Sequence, residues 1–85
     1  MRIFVAGATG VIGRRLVPML VEAGHDVTGM TRHKEKEDRV ATAGAEPVVC
    51  DVFDATRLLQ VVAEAKPDIV IHQLTDIPQA IDARN

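Results

Sequence analysis

Three glycines spaced three residues apart follow a short apolar run at the amino end of this 85-residue chain. The run Ile3–Ala6 is typical of a buried strand, and Gly7, Gly10 and Gly13 form the spacing G-x-x-G-x-x-G before a helical pattern begins. A helix amino terminus presents unpaired N–H groups and partial positive charge, and glycines let a phosphate approach that backbone closely. The run therefore predicts a strand, turn and helix that hold the pyrophosphate of a dinucleotide.

The remaining sequence alternates between short apolar runs and longer segments with helical spacing. Such alternation is typical of a parallel sheet whose strands are joined by helical crossovers. We therefore expect one α/β domain over residues 1–85, a truncated Rossmann-type parallel sheet with strand order 3-2-1-4 and flanking helices. The predicted strands are Ile3–Ala6, Asp26–Met30, Pro47–Cys50 and Asp68–His72, and the predicted helices are Val11–Ala23, a short exposed helix within 33–44, and Ala55–Lys66.

The first predicted helix is amphipathic and contains a proline. Pro18 removes one backbone donor but the apolar face continues past it, so we expect a local bend and no break. The face predicted to be buried consists of Ile12, Leu16, Met19, Leu20 and Ala23.

The predicted sheet stops at its fourth strand, whereas a complete doubly wound domain has more. An unpaired edge of this kind invites pairing with another chain. We therefore expect a homo-oligomer, or association with a missing remainder, through the edge of the fourth strand.

Composition limits the classes of partner and compartment. The chain is 47% apolar and 26% charged, which is typical of a soluble globular protein, and its net charge of -2 favours neither nucleic acid nor an anionic membrane. No apolar stretch reaches the roughly 20 residues of a membrane span. The single cysteine, Cys50, is interpreted as a core thiol and excludes an internal disulfide, so we expect a cytoplasmic protein. No two histidines have the spacing of metal ligands, so we expect no metal site.

The residues at the end of the second strand indicate which dinucleotide is held. NAD sites place Asp or Glu there to bind the ribose 2′-OH, but this chain has Thr31 and Arg32. A guanidinium can bind a 2′-phosphate with two hydrogen bonds, and Thr31 and Arg14 can add to that contact. These residues favour NADP over NAD. The alternative is that Arg32 is only a solvated loop cation.

Two further strand ends carry polar residues with two interpretations each. Asp51 and Val52 follow the third strand, where they can contact adenine, and Asp54 is a good N-cap for the helix after it. The alternative is that Asp51 also serves only to begin that helix. His72 ends the fourth strand. Its side chain either faces the ligand or forms its hydrogen bonds at the end of the strand and has no ligand role.

Five short segments together resemble a known family. They are AGATGVIGRRL at 6–16, Gly24-His25, Thr31-Arg32, Asp51-Val52 and Ile71-His72. This set is similar to the amino-terminal half of NAD-dependent epimerase/dehydratase-like proteins, which belong to the extended and atypical branches of the short-chain dehydrogenase/reductase superfamily. The resemblance covers nearly all of the chain.

The resemblance implies a role for each matching residue. Arg32 would mark NADP, Asp51 and Val52 would hold adenine, and Leu74 and Thr75 would line the path toward the nicotinamide ribose. The residues that would surround the pyrophosphate are Gly7, Thr9, Gly10, Val11, Ile12 and Gly13.

The resemblance also implies an incomplete active site. Enzymes of the family use a Tyr-x-x-x-Lys pair on a later helix, and this chain contains no Tyr. We therefore expect no catalytic residue here. The expected function is the NADP(H)-binding portion of an oxidoreductase that acts on a nucleotide-sugar or another small carbonyl or hydroxyl substrate. The alternative is a module that senses a dinucleotide or binds a protein without catalysis.

Overall fold

The computed structural model describes residues 1–72 of the chain. Leu74 and Thr75, predicted beside the nicotinamide ribose, lie outside the described residues. The elements are β1 (Arg2–Ala6), α1 (Gly13–Glu22), β2 (Asp26–Thr31), α2 (Glu37–Thr42), β3 (Glu46–Val49), α3 (Ala55–Ala65) and β4 (Ile69–His72). A short 3-10 turn, Lys34–Lys36, precedes α2. The predicted charged helix is therefore two pieces, and the other predicted elements are present with boundaries that differ by a few residues.

The four strands form one parallel sheet in the order β3-β2-β1-β4. This order confirms the predicted Rossmann-type topology, with β1 between β2 and β4. The register places Ala6 beside both Met30 and His72, so the carboxyl ends of three neighbouring strands lie level. Ligands of such sheets bind beyond these ends.

Helices cover both faces of β1, which agrees with the continuous apolar run of its residues Ile3–Ala6. Ile3 and Val5 lie on one face with buried side chains from α1 and α2, and Phe4 and Ala6 lie on the other face with Val61 of α3. The first cluster comprises Ile3, Val5, Ala8, Val17, Val27, Val40 and Ala45, and the second comprises Phe4, Ala6, Met30, Cys50 and Val61.

The predicted buried face of α1 is correct only in part: Leu16 and Leu20 are partly buried, but the centre of the face lies about one residue further along. Ile12 and Met19 are 54% and 67% exposed, whereas Gly13 and Val17 are buried. A Cβ at Gly13 would overlap the Gly7 carbonyl oxygen. The close approach of helix to loop at this glycine therefore sets the rotation of α1 about its axis, and hydrophobic periodicity alone does not reveal it. The helix continues through Pro18 without a break, as predicted.

Asp54 begins α3 as predicted. Its Oδ1 accepts a hydrogen bond from the Arg57 N–H at 3.1 Å, which satisfies one of the first backbone donors of the helix. No helix within residues 1–72 combines the length and the hydropathy needed to cross a bilayer.

Candidate functional site

The glycine loop is fastened to the end of β2 by backbone hydrogen bonds. The N–H groups of Gly7 and Ala8 both donate to the Met30 carbonyl oxygen, at 3.1 and 2.9 Å. Gly7 has φ of 84°, a conformation that glycine adopts without steric cost. The loop therefore turns sharply at the end of β1, and its path depends on β2.

The loop leads directly into the amino terminus of α1. Gly10 N–H donates to the Gly7 carbonyl oxygen at 3.1 Å, and Arg14 N–H donates to the Gly10 carbonyl oxygen at 3.0 Å. The first turn of a helix leaves N–H groups without intrahelical partners, so the backbone at Ile12 and Gly13 supplies donors at the mouth of the loop. This is the arrangement that binds phosphate in other proteins.

Thr31 joins the glycine loop to the residues after β2. Its side chain is 2% exposed, and its hydroxyl lies 3.0 Å from the Thr9 hydroxyl. The same oxygen accepts a hydrogen bond from the His33 N–H at 3.2 Å. A buried hydroxyl with these partners holds the loop and the end of β2 in one geometry.

Arg32 lies exposed at the end of β2. Its Nε donates to His33 Nε2 at 3.4 Å, and His33 Nδ1 lies 3.6 Å from Glu35 Oε2. Glu35 is the nearest carboxylate along the chain after β2, and it pairs with His33. The position that holds a ribose hydroxyl in NAD sites therefore has a guanidinium here, with an imidazole beside it.

A residue of α2, Arg39, shares a cavity with residues of the glycine loop. Arg39 lines a cavity of about 60 Å³ together with Arg14, Ala8 and Thr9. Sequence reasoning missed Arg39, because it lies in a charged segment that is typical of a solvated helix face. Only the tertiary packing of α2 brings Arg39 to the same cavity as Arg14.

The turn after β3 lies next to the end of β2. Cys50 N–H donates to the Thr31 carbonyl oxygen at 3.0 Å. Asp51 Oδ1 accepts a hydrogen bond from the Phe53 N–H at 2.9 Å, and Val52 packs against the core cluster that contains Cys50. Asp51 therefore stabilises the turn before α3, as the alternative interpretation has it, and its contact with adenine stays a prediction. Cys50 is buried as predicted, and desolvation raises the pKa of its thiol.

His72 lies at the carboxyl end of β4, level with Ala6, and its side chain is exposed. His25, by contrast, lies at the opposite edge of the sheet, where its Nδ1 is 3.3 Å from the amino terminus. Among residues 1–72, no group of three or more His, Cys, Asp or Glu side chains could hold a metal ion.

The fold brings most of the predicted site residues to one edge of the sheet. Three neighbouring segments contribute: the glycine loop, the end of β2 and the turn after β3. The predicted residues in them are Gly7, Thr9, Gly10, Val11, Ile12, Gly13, Arg14, Thr31, Arg32, Asp51 and Val52. The geometry can bind an extended anion along the loop.

Comparison with known proteins agrees with this geometry. A 3-diazoavenalumate denitrifying reductase from Streptomyces sp is 43% identical over 75 residues, which are 88% of this chain and 23% of that protein. The yeast methylglyoxal/isovaleraldehyde reductase Gre2, solved in complex with NADPH, superposes with a TM-score of 0.72 at 28% identity and covers 85% of this chain and 26% of that one. The Bordetella bronchiseptica enzyme WbmH, solved with NAD+, has a TM-score of 0.74 at 22% identity, covers 89% of this chain and 26% of that one, and shows likeness of fold alone.

The chain spans about a quarter of the length of these three proteins. The sequence model of the NAD dependent epimerase/dehydratase family matches residues 3–85, nearly the whole chain. This match agrees with the glycine spacing, the strand order and the reductase relative. The chain therefore belongs to the NAD dependent epimerase/dehydratase family.

Proposed function

We propose that this chain is the NADP(H)-binding portion of an oxidoreductase of the epimerase/dehydratase family. The observation that carries the proposal is the glycine loop, whose Gly7 and Ala8 N–H groups bond to the carbonyl oxygen of Met30, two residues before Arg32. The loop lies between the amino terminus of α1, where a phosphate could bind, and the guanidinium of Arg32. The NADPH bound by the yeast reductase and the NAD+ bound by WbmH support a nicotinamide dinucleotide as the ligand class.

The preference for NADP rests on the charges after β2. A carboxylate at this position would accept hydrogen bonds from a ribose 2′-OH and would repel a 2′-phosphate. The chain instead has Thr31, Arg32 and His33, and Glu35 is paired with His33. Arg14 and Arg39 line a cavity together with Thr9, and they add positive charge on this side of the glycine loop. We infer that Arg32 makes the main contact with the 2′-phosphate.

We assign the other predicted residues to the rest of the dinucleotide. The backbone from Gly7 to Gly13 would bind the pyrophosphate, and Asp51 and Val52 would contact adenine beside the end of β2. Leu74 and Thr75 would lead toward the nicotinamide ribose. When bound, the nicotinamide supplies hydride transfer, while this chain's residues bind and orient the cofactor.

The substrate would be a nucleotide-sugar or another small molecule with a carbonyl or hydroxyl group. The reductase activity in the name of the Streptomyces relative supports redox chemistry of this kind. The catalytic pair that the family resemblance implies is absent from this sequence, which contains no Tyr. Turnover would therefore need residues beyond those of this chain.

The chain would also associate through β4. Ile69 and Val70 are 42% and 50% exposed on β4, which is the last strand on its side of the sheet within residues 1–72. An unpaired strand edge can hydrogen-bond to a second copy. We propose a homo-oligomer formed at this edge.

Calorimetric titration with NADPH and with NADH tests the cofactor proposal. Arg32→Ala should weaken NADPH binding by about tenfold or more and should change NADH binding little, because only NADPH carries the 2′-phosphate. Arg2→Ala is the matched control, since Arg2 begins β1 at the opposite edge of the sheet. Equal losses for both nucleotides in Arg32→Ala would contradict the assignment of NADP.

A further inference from the structure

Phe53 stands exposed at the carboxyl edge of the sheet. It is 74% exposed, whereas Phe4, the other phenylalanine of the chain, is completely buried. Single exposed apolar side chains are ordinary on protein surfaces, so exposure by itself assigns no role. The geometry of the turn around Phe53 carries the argument.

Two hydrogen bonds accepted by Asp51 order the backbone of this turn. Asp51 Oδ1 accepts the Phe53 N–H at 2.9 Å, and the Asp51 carbonyl oxygen accepts the Asp54 N–H at 3.0 Å. Asp54 in turn caps α3 through the Arg57 N–H. A ring presented by an ordered turn loses little backbone entropy when it contacts a ligand.

The turn is the next neighbour of the cofactor-binding segments along this edge. Cys50 N–H donates to the Thr31 carbonyl oxygen at 3.0 Å, so the chain enters the turn directly beside Arg32. The glycine loop lies on the other side of β2, where Gly7 and Ala8 bond to Met30. A dinucleotide with its pyrophosphate on the loop and its adenosine ribose at Arg32 would therefore extend its base toward residues 51–54.

We propose that Phe53 is an aromatic platform on which the adenine ring stacks. This inference rests on the proposed cofactor site and assigns a specific residue to its adenine end. Val52 packs inward against the core cluster, so the neighbouring outward ring offers the larger apolar surface to a base. Stacking on an aromatic ring accepts any adenine nucleotide, while Arg32 selects among them by the 2′-phosphate.

The replacement Phe53→Trp gives a direct reporter of stacking. The chain contains no Trp and no Tyr, so the new indole is the only strong fluorophore. Titration with 2′,5′-ADP, which carries adenine without nicotinamide, should quench its emission in a saturable way. Nicotinamide mononucleotide, which lacks adenine, should leave the emission unchanged. Unchanged emission at saturating 2′,5′-ADP would overturn the inference.

Calorimetry with 2′,5′-ADP measures the contribution of the ring. Phe53→Ala should weaken binding by about tenfold, the usual effect of removing one aromatic ring that stacks on a base. Leu59→Ala is the matched control, because Leu59 is also 72% exposed but lies on the outer surface of α3. It should bind as the unsubstituted chain does.

The outcomes separate this inference from the cofactor proposal. If the unsubstituted chain binds 2′,5′-ADP and Phe53→Ala binds it equally well, the stacking role is wrong and the cofactor site stands. If the folded unsubstituted chain binds neither 2′,5′-ADP nor NADPH, both proposals are overturned.

Discussion

The two strands that flank β1 differ sharply in how well they are covered. Both β2 and β4 pair with β1 in parallel, and Met30 and His72 lie level on either side of Ala6. Yet Met30 and Thr31 at the end of β2 are each 2% exposed, whereas Val70 in β4 is 50% exposed. Hydrogen bonding to the central strand therefore does not bury a strand, because burial comes from side chains packed on its faces.

The difference also matches the two proposals made for the molecule, cofactor binding and association. The β2 side joins the glycine loop, the buried Thr31 and the turn after β3 into one ordered surface. On the β4 side, Ile69 and Val70 are exposed, and among residues 1–72 no further strand pairs with β4. We infer that the β2 side binds the cofactor and the β4 side serves association.

Gly13→Ala should have the largest effect, because it breaks the contact between α1 and the loop. The new Cβ would overlap the Gly7 carbonyl oxygen, and backbone cannot move aside without loss of the loop geometry. We expect a loss of about 3 kcal/mol in the free energy of unfolding, measured by urea titration. Gly24→Ala is the control: it has open space but φ of +94°, and should cost about 1 kcal/mol. An equal cost at both positions would contradict the packing argument.

Val27→Ala and Val70→Ala compare the two flanking strands directly. Val27 on β2 is 5% exposed, so its truncation should lower the free energy of unfolding by about 2 kcal/mol. Val70 on β4 is half exposed, so the same truncation should cost less than about 0.5 kcal/mol. Urea denaturation of both variants measures the difference. Similar losses would mean that β4 is covered in solution, for example by a second copy.

Thr31→Val tests the hydroxyl that joins the loop to β2. The change keeps the side-chain shape but leaves the Thr9 hydroxyl and the His33 N–H without this partner, which should cost about 1 kcal/mol of stability. Thr31→Ser should retain most of that stability, because it keeps the oxygen. Thermal unfolding compares these variants with Thr56→Val, a change at an exposed position of α3. No loss in Thr31→Val would show that the hydroxyl is dispensable.

Val70→Lys should have the smallest effect on folding and a measurable effect on assembly. Lysine on an exposed edge strand disfavours pairing with another strand, and Val70 contributes little to the described core. Sedimentation velocity at micromolar concentration should show association in the unsubstituted chain and a shift toward monomer in the variant. A folded unsubstituted chain that sediments only as a monomer would remove the proposal.

Sequence reasoning predicted the backbone of the candidate site best at the glycine loop, where the spacing of the glycines indicates a turn between a strand and a helix. The spacing of Gly7, Gly10 and Gly13 requires a strand before and a helix after, and both are present. Arg39 could not be found in this way, because it lines the cavity with Arg14 only through the packing of α2. Leu74 and Thr75 remain predictions, since they lie outside the described residues.

Local chemistry thus determined the order of strands and helices, the strand order of the sheet, the glycine turn and the Asp54 cap, because each depends on neighbouring residues or on rules of parallel connection. Tertiary structure decided the rotation of α1, the use of the Thr31 hydroxyl and the uneven cover of β2 and β4. These depend on contacts between segments distant in sequence. The close approach of Gly13 to Gly7 is the clearest case, since it accompanies a helix orientation in which Val17 is buried and Met19 is exposed.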